Sequence, residues 1–118
     1  MSTLTQEKKE AIEVMREYLD KLIPGMEMVC QELEYDKKLD TDDFLKNCID
    51  GLNWVIEIYN RITDVVDMEK IHTEKQELNA KLIELGAAIR DREDEKIANI
   101  LEDAVVPFLS DLKEAAQE

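Results

Sequence analysis

Glu69-Lys70-Ile71-His72 is where the chain's single histidine follows a carboxylate by three residues. That spacing puts both side chains on one face of a helical turn, as in di-metal carboxylate bundles. Such a centre needs the pair on each of two helices and a glutamate from each of two more. One histidine cannot supply it, and the apolar pattern places Glu69–His72 in a connector. A chance match is the economical reading; a site completed by a second copy of the chain is the alternative. Ser2 and Ser110 are the only serines, and His72 has no evident partner for nucleophilic catalysis. Cys30 lies beside one apolar seam and Cys48 within the next. A hairpin turning near residue 39 brings them to about the same level, so they are expected as spatial neighbours. Buried thiols are inert, which makes two packed free thiols the expectation and a disulfide or redox pair the alternative.

Carboxylates three apart recur at Glu7/Glu10, Glu10/Glu13, Glu74/Glu77 and Glu17/Asp20. All-α nucleotide pyrophosphatases of the dUTPase-like class hold magnesium with such pairs on two facing helices. Here Glu10, Glu13, Glu17 and Asp20 share one helix and cannot face each other across a cleft. Magnesium needs inward carboxylates, and the periodicity turns these outward, so a solvated face accounts for them.

The elements follow from apolar spacing. Ile12, Met15, Leu19, Leu22, Met26, Val29 and Leu33 form a heptad seam with alternating steps of three and four. It passes Pro24-Gly25 in phase, which predicts one long helix kinked at Pro24; two helices, the second opening at Pro24, is the alternative. Thr3 and Gln6 have capping-box spacing at its start. Asp40 or Thr41 should cap a second helix whose stripe runs from Leu45 through Cys48, Leu52, Val55 and Tyr59 to Ile62 and Val66. Trp54, Ile58 and Val65 widen that stripe, which places Trp54 and Tyr59 in the core. Thr73 and Gln76 have cap spacing before a third helix carrying Leu78, Leu82, Leu85 and Ile89. Gly86 inside it would allow a neighbouring helix to come close. The charge run Arg90–Lys96 contains a short turn near 91–93, with neither Gly nor Pro to mark it. The last helix carries Ile97, Leu101, Val105, Phe108 and Leu112, and its pattern runs through Pro107 in phase. If the two proline bends lie level, they would open a notch. Met15, Met26, Met28 and Met68 could line an adaptable groove, but Met15 and Met26 belong to the seam.

Composition narrows the rest. The 118 residues carry 29 acidic and 15 basic side chains, net −14, with 3 Gly and 2 Pro. So few turn residues exclude a β-sandwich or barrel, and the length suffices for one core without staples. Each half of the chain carries −7, so there is no basic arm. Such a surface repels phosphate backbones and anionic lipid, which argues against nucleic acid or membrane as partner and is compatible with a basic protein. The polar N-terminus shows no signal peptide, no run reaches the roughly 18 apolar residues of a membrane span, and two cysteines make no disulfide framework. These features point to the cytoplasm.

Gly51-Leu52-Asn53-Trp54-Val55-Ile56 and the stretch from Ile97 to Leu109, containing Ile100-Leu101-Glu102-Asp103 and Val106-Pro107-Phe108-Leu109, resemble the G-L-E-W-L and D-L-L-E-Y-E-x-x-P-x-L segments of small uncharacterised all-helical proteins from Gram-positive bacteria. The likeness covers about half the chain and departs at Asp103-Ala104, where that family has Tyr-Glu. It implies a bacterial origin and a bundle, and no activity or functional residue. The expectation is a single all-α domain over 1–118, an antiparallel up-and-down four-helix bundle kinked at Pro24 and Pro107, with helices at about 4–36, 41–67, 73–90 and 94–116. It is expected to be non-enzymatic, with no catalytic, cofactor-binding or metal-ligating residue and no cofactor. Its partner would be another protein, or a second copy in a homodimer. As a protein-binding adaptor, chaperone or regulator it would work through seams able to accept a further helix. The alternatives are a divalent-metal-dependent all-α nucleotide hydrolase and a self-assembling structural homodimer.

Overall fold

The heptad seam becomes one continuous helix, α1 (Gln6–Tyr35), with Pro24 inside it. In the structure, a computed structural model that describes residues 6–64 and 66–116, Met15, Leu19, Leu22, Met26, Val29 and Leu33 are all buried. The Thr3 cap position, Ser2 and Val65 lie outside the described residues. α2 (Thr41–Ile62) follows a short polar turn. Neither expected cap forms there. Asp40 makes no side-chain cap bond, and the fully buried Thr41 hydroxyl instead staples the turn. It donates to Glu32 Oε1 at 2.6 Å and accepts from the Lys38 N–H at 2.8 Å. A buried hydroxyl is stable only with such partners.

α2 ends at Ile62, short of the expected 67. The chain turns away because its tertiary partners outweigh the apolar pattern. Asp67 N–H donates to Ala115 O at 3.3 Å, and the Asp67 side chain accepts from Glu69 N–H, capping a 3₁₀ turn over Met68–Lys70. α3 (Lys75–Arg90) starts two residues after the expected boundary. The Thr73–Gln76 box is not made: Glu74 stands at the cap without a side-chain bond.

The turn expected at 91–93 is present, and Arg92 makes it. Its φ of 58° is the only positive value among the described non-glycine residues. Arg92 N–H donates to Ile89 O at 3.2 Å and Glu93 N–H to Ala88 O at 2.9 Å, the paired closure in which helices usually place glycine. The last helix begins as α4 (Asp94–Ile100), widens into a π turn (Leu101–Val105) and continues as α5 (Val106–Ala115). Pro107 sits just after the π turn. Its ring lacks an N–H and crowds the carbonyl four residues back, and a widened turn is one way a helix accommodates both.

The described residues are therefore all-helical, with α4, the π turn and α5 making one of four helices in a molecule measuring 52 × 25 × 19 Å. α1 packs on α2, α4 and α5, and α3 packs on α4 and the π turn. No Cα of α2 comes within 8 Å of one in α3, so the two middle helices leave a gap between them. The core runs along α1 through Met15, Leu19 and Met26 to Leu52, Tyr59, Phe108 and Leu112. Tyr59 and Phe108 meet edge to face, their centroids 5.2 Å apart.

Candidate functional site

Val14 and Tyr18 are four residues apart on α1, beside the seam rather than in it. The Tyr18 ring reaches across to α2, where Gly51 presents no side chain. A Cβ at Gly51 would lie 2.8 Å from Tyr18 Cζ, so the ring rests directly on the α2 backbone. It meets Trp54 in a T-shaped contact, centroids 5.4 Å apart and planes at 85°. Trp54 is 37% exposed and Val14 51% exposed, which corrects the core placement expected for Trp54. Tyr59 is 1% exposed and fits it. Val14, Tyr18 and Trp54 thus form one apolar surface across two helices. They line a shallow depression of about 400 Å³ bordered by Asn47 and Asp50. Burial pushes the Tyr18 phenol up from its usual value, with Cys48 and Asp50 adding to the effect.

The two thiols are free and buried. Cys30 Sγ donates to Ala98 O at 3.7 Å. Burial first, then the nearby Glu102, pushes Cys30 up to about 12, and Cys48 is itself one of the weaker influences on it. Burial pushes Cys48 up as well.

His72 is exposed. Its Nδ1 lies 3.1 Å from Asp111 Oδ2, which also accepts the His72 backbone N–H at 3.2 Å. It therefore fastens the connector to α5, and Glu69 stands exposed on the 3₁₀ turn. Glu7, Glu10, Glu13, Glu17, Asp20, Glu74 and Glu77 are all exposed. Among the described residues no group of three His, Cys, Asp or Glu is placed to hold a metal ion. One inter-helix carboxylate pair escaped the sequence pattern: Glu34 of α1 faces Glu102 of the π turn. The Glu34 charge is the main influence pushing Glu102 up from its ordinary value. Only the register between the two helices shows this pair.

Pro24 borders a depression of about 450 Å³ with Leu19, Asp20 and Ile23 of α1 and Ser110, Lys113 and Glu114 of α5, and Lys113 pairs with Asp20 across it. Pro107 does not line it, so this depression is not the expected two-proline notch. Met15 and Met26 are fully buried, while Met28 and Met68 stand apart at the surface, 51% and 39% exposed; the four make no common groove. The close helix approach expected at Gly86 is absent. Nothing lies within 4 Å of a Cβ placed there, and the close approach is at Gly51 instead. The sequence carried one signal for the aromatic surface, a glycine inside the α2 stripe opposite an off-seam tyrosine.

A family model described as a domain of unknown function (DUF8042) matches residues 10–115. Neither a curated protein nor a solved structure matches the chain. No described helix is long and apolar enough to cross a membrane.

Proposed function

We propose that this chain, which belongs to the family described as a domain of unknown function (DUF8042), is a non-enzymatic acidic helical protein that works by binding another protein. The role is that of an adaptor, chaperone or regulator in a bacterial cytoplasm, where two unpaired thiols stay reduced. The arrangement is an antiparallel up-and-down bundle bent at Pro24 and Pro107 and open between α2 and α3. Opposed contacts support it: Asp20 meets Lys113, whereas Cys30, further along α1, meets the earlier Ala98.

The observation that carries the reading is the Val14–Tyr18–Trp54 surface. The seam residues are spent on the core, so a further helix does not dock on them. Tryptophan and tyrosine are the residues on which interfaces concentrate their binding energy, and here they are held rigid by each other and by the α2 backbone. With Asp50 at the border and a net charge of −14, the matching partner presents an apolar anchor flanked by Lys or Arg.

Trp54 is the only tryptophan, so its fluorescence reports this surface alone. Proteins captured from the native cell on the immobilised chain are purified and titrated against it. The true partner shifts the Trp54 emission to the blue and shields it from acrylamide. Trp54→Phe and Val14→Ala weaken that partner at least tenfold. A captured protein that leaves the emission unchanged and binds Trp54→Phe equally well refutes the reading. A shift that depends only on the chain's own concentration replaces the partner with a second copy.

A further inference from the structure

The gap between α2 and α3 deepens into a cavity at the end of the molecule where α1 turns into α2 and α3 turns into α4. Its volume is about 280 Å³, close to the roughly 300 Å³ at which small-molecule sites begin. Leu45 and Ile49 of α2, Ile89 of α3 and Ile97 of α4 give it apolar walls. Lys37 closes one end by spanning Asp94 at 2.9 Å and Asp42 at 3.2 Å. Those two carboxylates more than offset Lys37, but Lys46 and Arg92, also at the cavity, make no ion pair among the described residues and leave the lining one positive charge in excess. A local excess of positive charge therefore borders an apolar slot in a chain of net charge −14.

Arg92 adds an independent argument. Its left-handed backbone, φ 58°, suits glycine and costs about 1 kcal/mol or more with a side chain. The turn itself needs only the backbone closure. Arginine there puts a cationic residue in the cavity lining, and a strained residue at such a place points to function.

We propose that this cavity binds a small amphiphilic carboxylate, an acyl chain of medium length. Its tail lies along Ile49, Ile89 and Ile97, and its carboxylate is held by Arg92 and Lys46. The planar fork of arginine matches a carboxylate in two parallel hydrogen bonds. A single negative charge also meets less of the molecule's overall negative field than a polyanion would. The cavity does not share Val14, Tyr18 or Trp54, so the inference stands apart from the protein-binding reading.

The test titrates decanoate, below the concentration at which it forms micelles, into the chain carrying labelled isoleucine methyl groups. 1-Decanol and decylamine serve as neutral and cationic counterparts. Decanoate is expected to give saturable shifts confined to Ile49, Ile89 and Ile97 and their neighbours. It should bind at least tenfold more tightly than decanol, with decylamine weakest. Arg92→Gly relieves the backbone and should fold at least as stably, yet lose about tenfold in decanoate affinity. Lys46→Gln should weaken it in the same direction. Equal affinity for decanol and decanoate overturns the proposal, as does full affinity in both variants. So do shifts spread over isoleucines remote from the cavity, or no binding at all.

Discussion

A thiol attacks only as its thiolate, and at Cys30 the surrounding core holds the proton on. Burial, then the field of Glu102, raises it from 9.0 to about 12, and burial raises Cys48 in the same direction. The linkage has a definite sign. Below pH 9 folded and unfolded chains both keep the Cys30 proton, and the contribution to stability is complete. Between about 9 and 12 the unfolded chain sheds it first, so stability falls as pH rises through the folded value. Urea midpoints measured at pH 8 and pH 10.5 should therefore drop less for Cys30→Ala/Cys48→Ala than for the native chain. Equal drops would mean that the two thiols do not carry this term. In the same range, native thiols should react with a chromogenic disulfide only at the rate of global opening. Where the sequence placed these residues, it did so correctly, because apolar periodicity reports burial. The turn at 91–93 was legible, but the Glu34–Glu102 pairing and the left-handed backbone of Arg92 were invisible to it. Both depend on register or on a backbone angle that no residue type announces.

At the scale of elements, Gly51 and Gly86, two of the three glycines inside helices, show what periodicity can and cannot tell. Both interrupt apolar stripes, and spacing alone suggested a close helix approach at Gly86. The structure puts it at Gly51, where Tyr18 lies against the α2 backbone. Opposite outcomes are expected for the same substitution. Gly86→Ala adds a methyl in open space and removes glycine's backbone freedom, stabilising by about 0.5–1 kcal/mol. Gly51→Ala drives Tyr18 off its seat and out of its contact with Trp54, destabilising by about 1–3 kcal/mol. Chemical denaturation gives both values, and the Trp54 emission should change only in Gly51→Ala. If both substitutions stabilise, the Tyr18–Gly51 contact is not formed. Helix existence was legible throughout because four long stripes leave little choice. Ends were less so. Asp67, bonded to the end of α5 and capping its own 3₁₀ turn, stops a pattern that would otherwise have run on. Such long-range bonds lie outside any local window.

At the scale of the whole molecule, charge opposes compaction. The chain carries −14 on a body only 19 Å across its short axis, so like charges on different helices lie within one screening length at low salt. The ion pairs that oppose this repulsion, such as Lys8–Asp64 and Lys38–Asp36, sit at the surface, where a pair contributes little. Lys37 joins the starts of α2 and α4 through Asp42 and Asp94 and is the pair with most leverage on the architecture. Repulsion dominates this balance. Raising NaCl from 10 mM to 500 mM should lift the melting temperature by several degrees, since the screening length falls from about 30 Å to a few Å and each kcal/mol is worth about 4 °C at this size. Lys37→Met should lower the melting temperature most at low salt, where both the bridge and the net charge count fully, and the difference should shrink as salt rises. A melting temperature that falls with added salt would show the opposite balance, with the bridges outweighing the repulsion they interrupt.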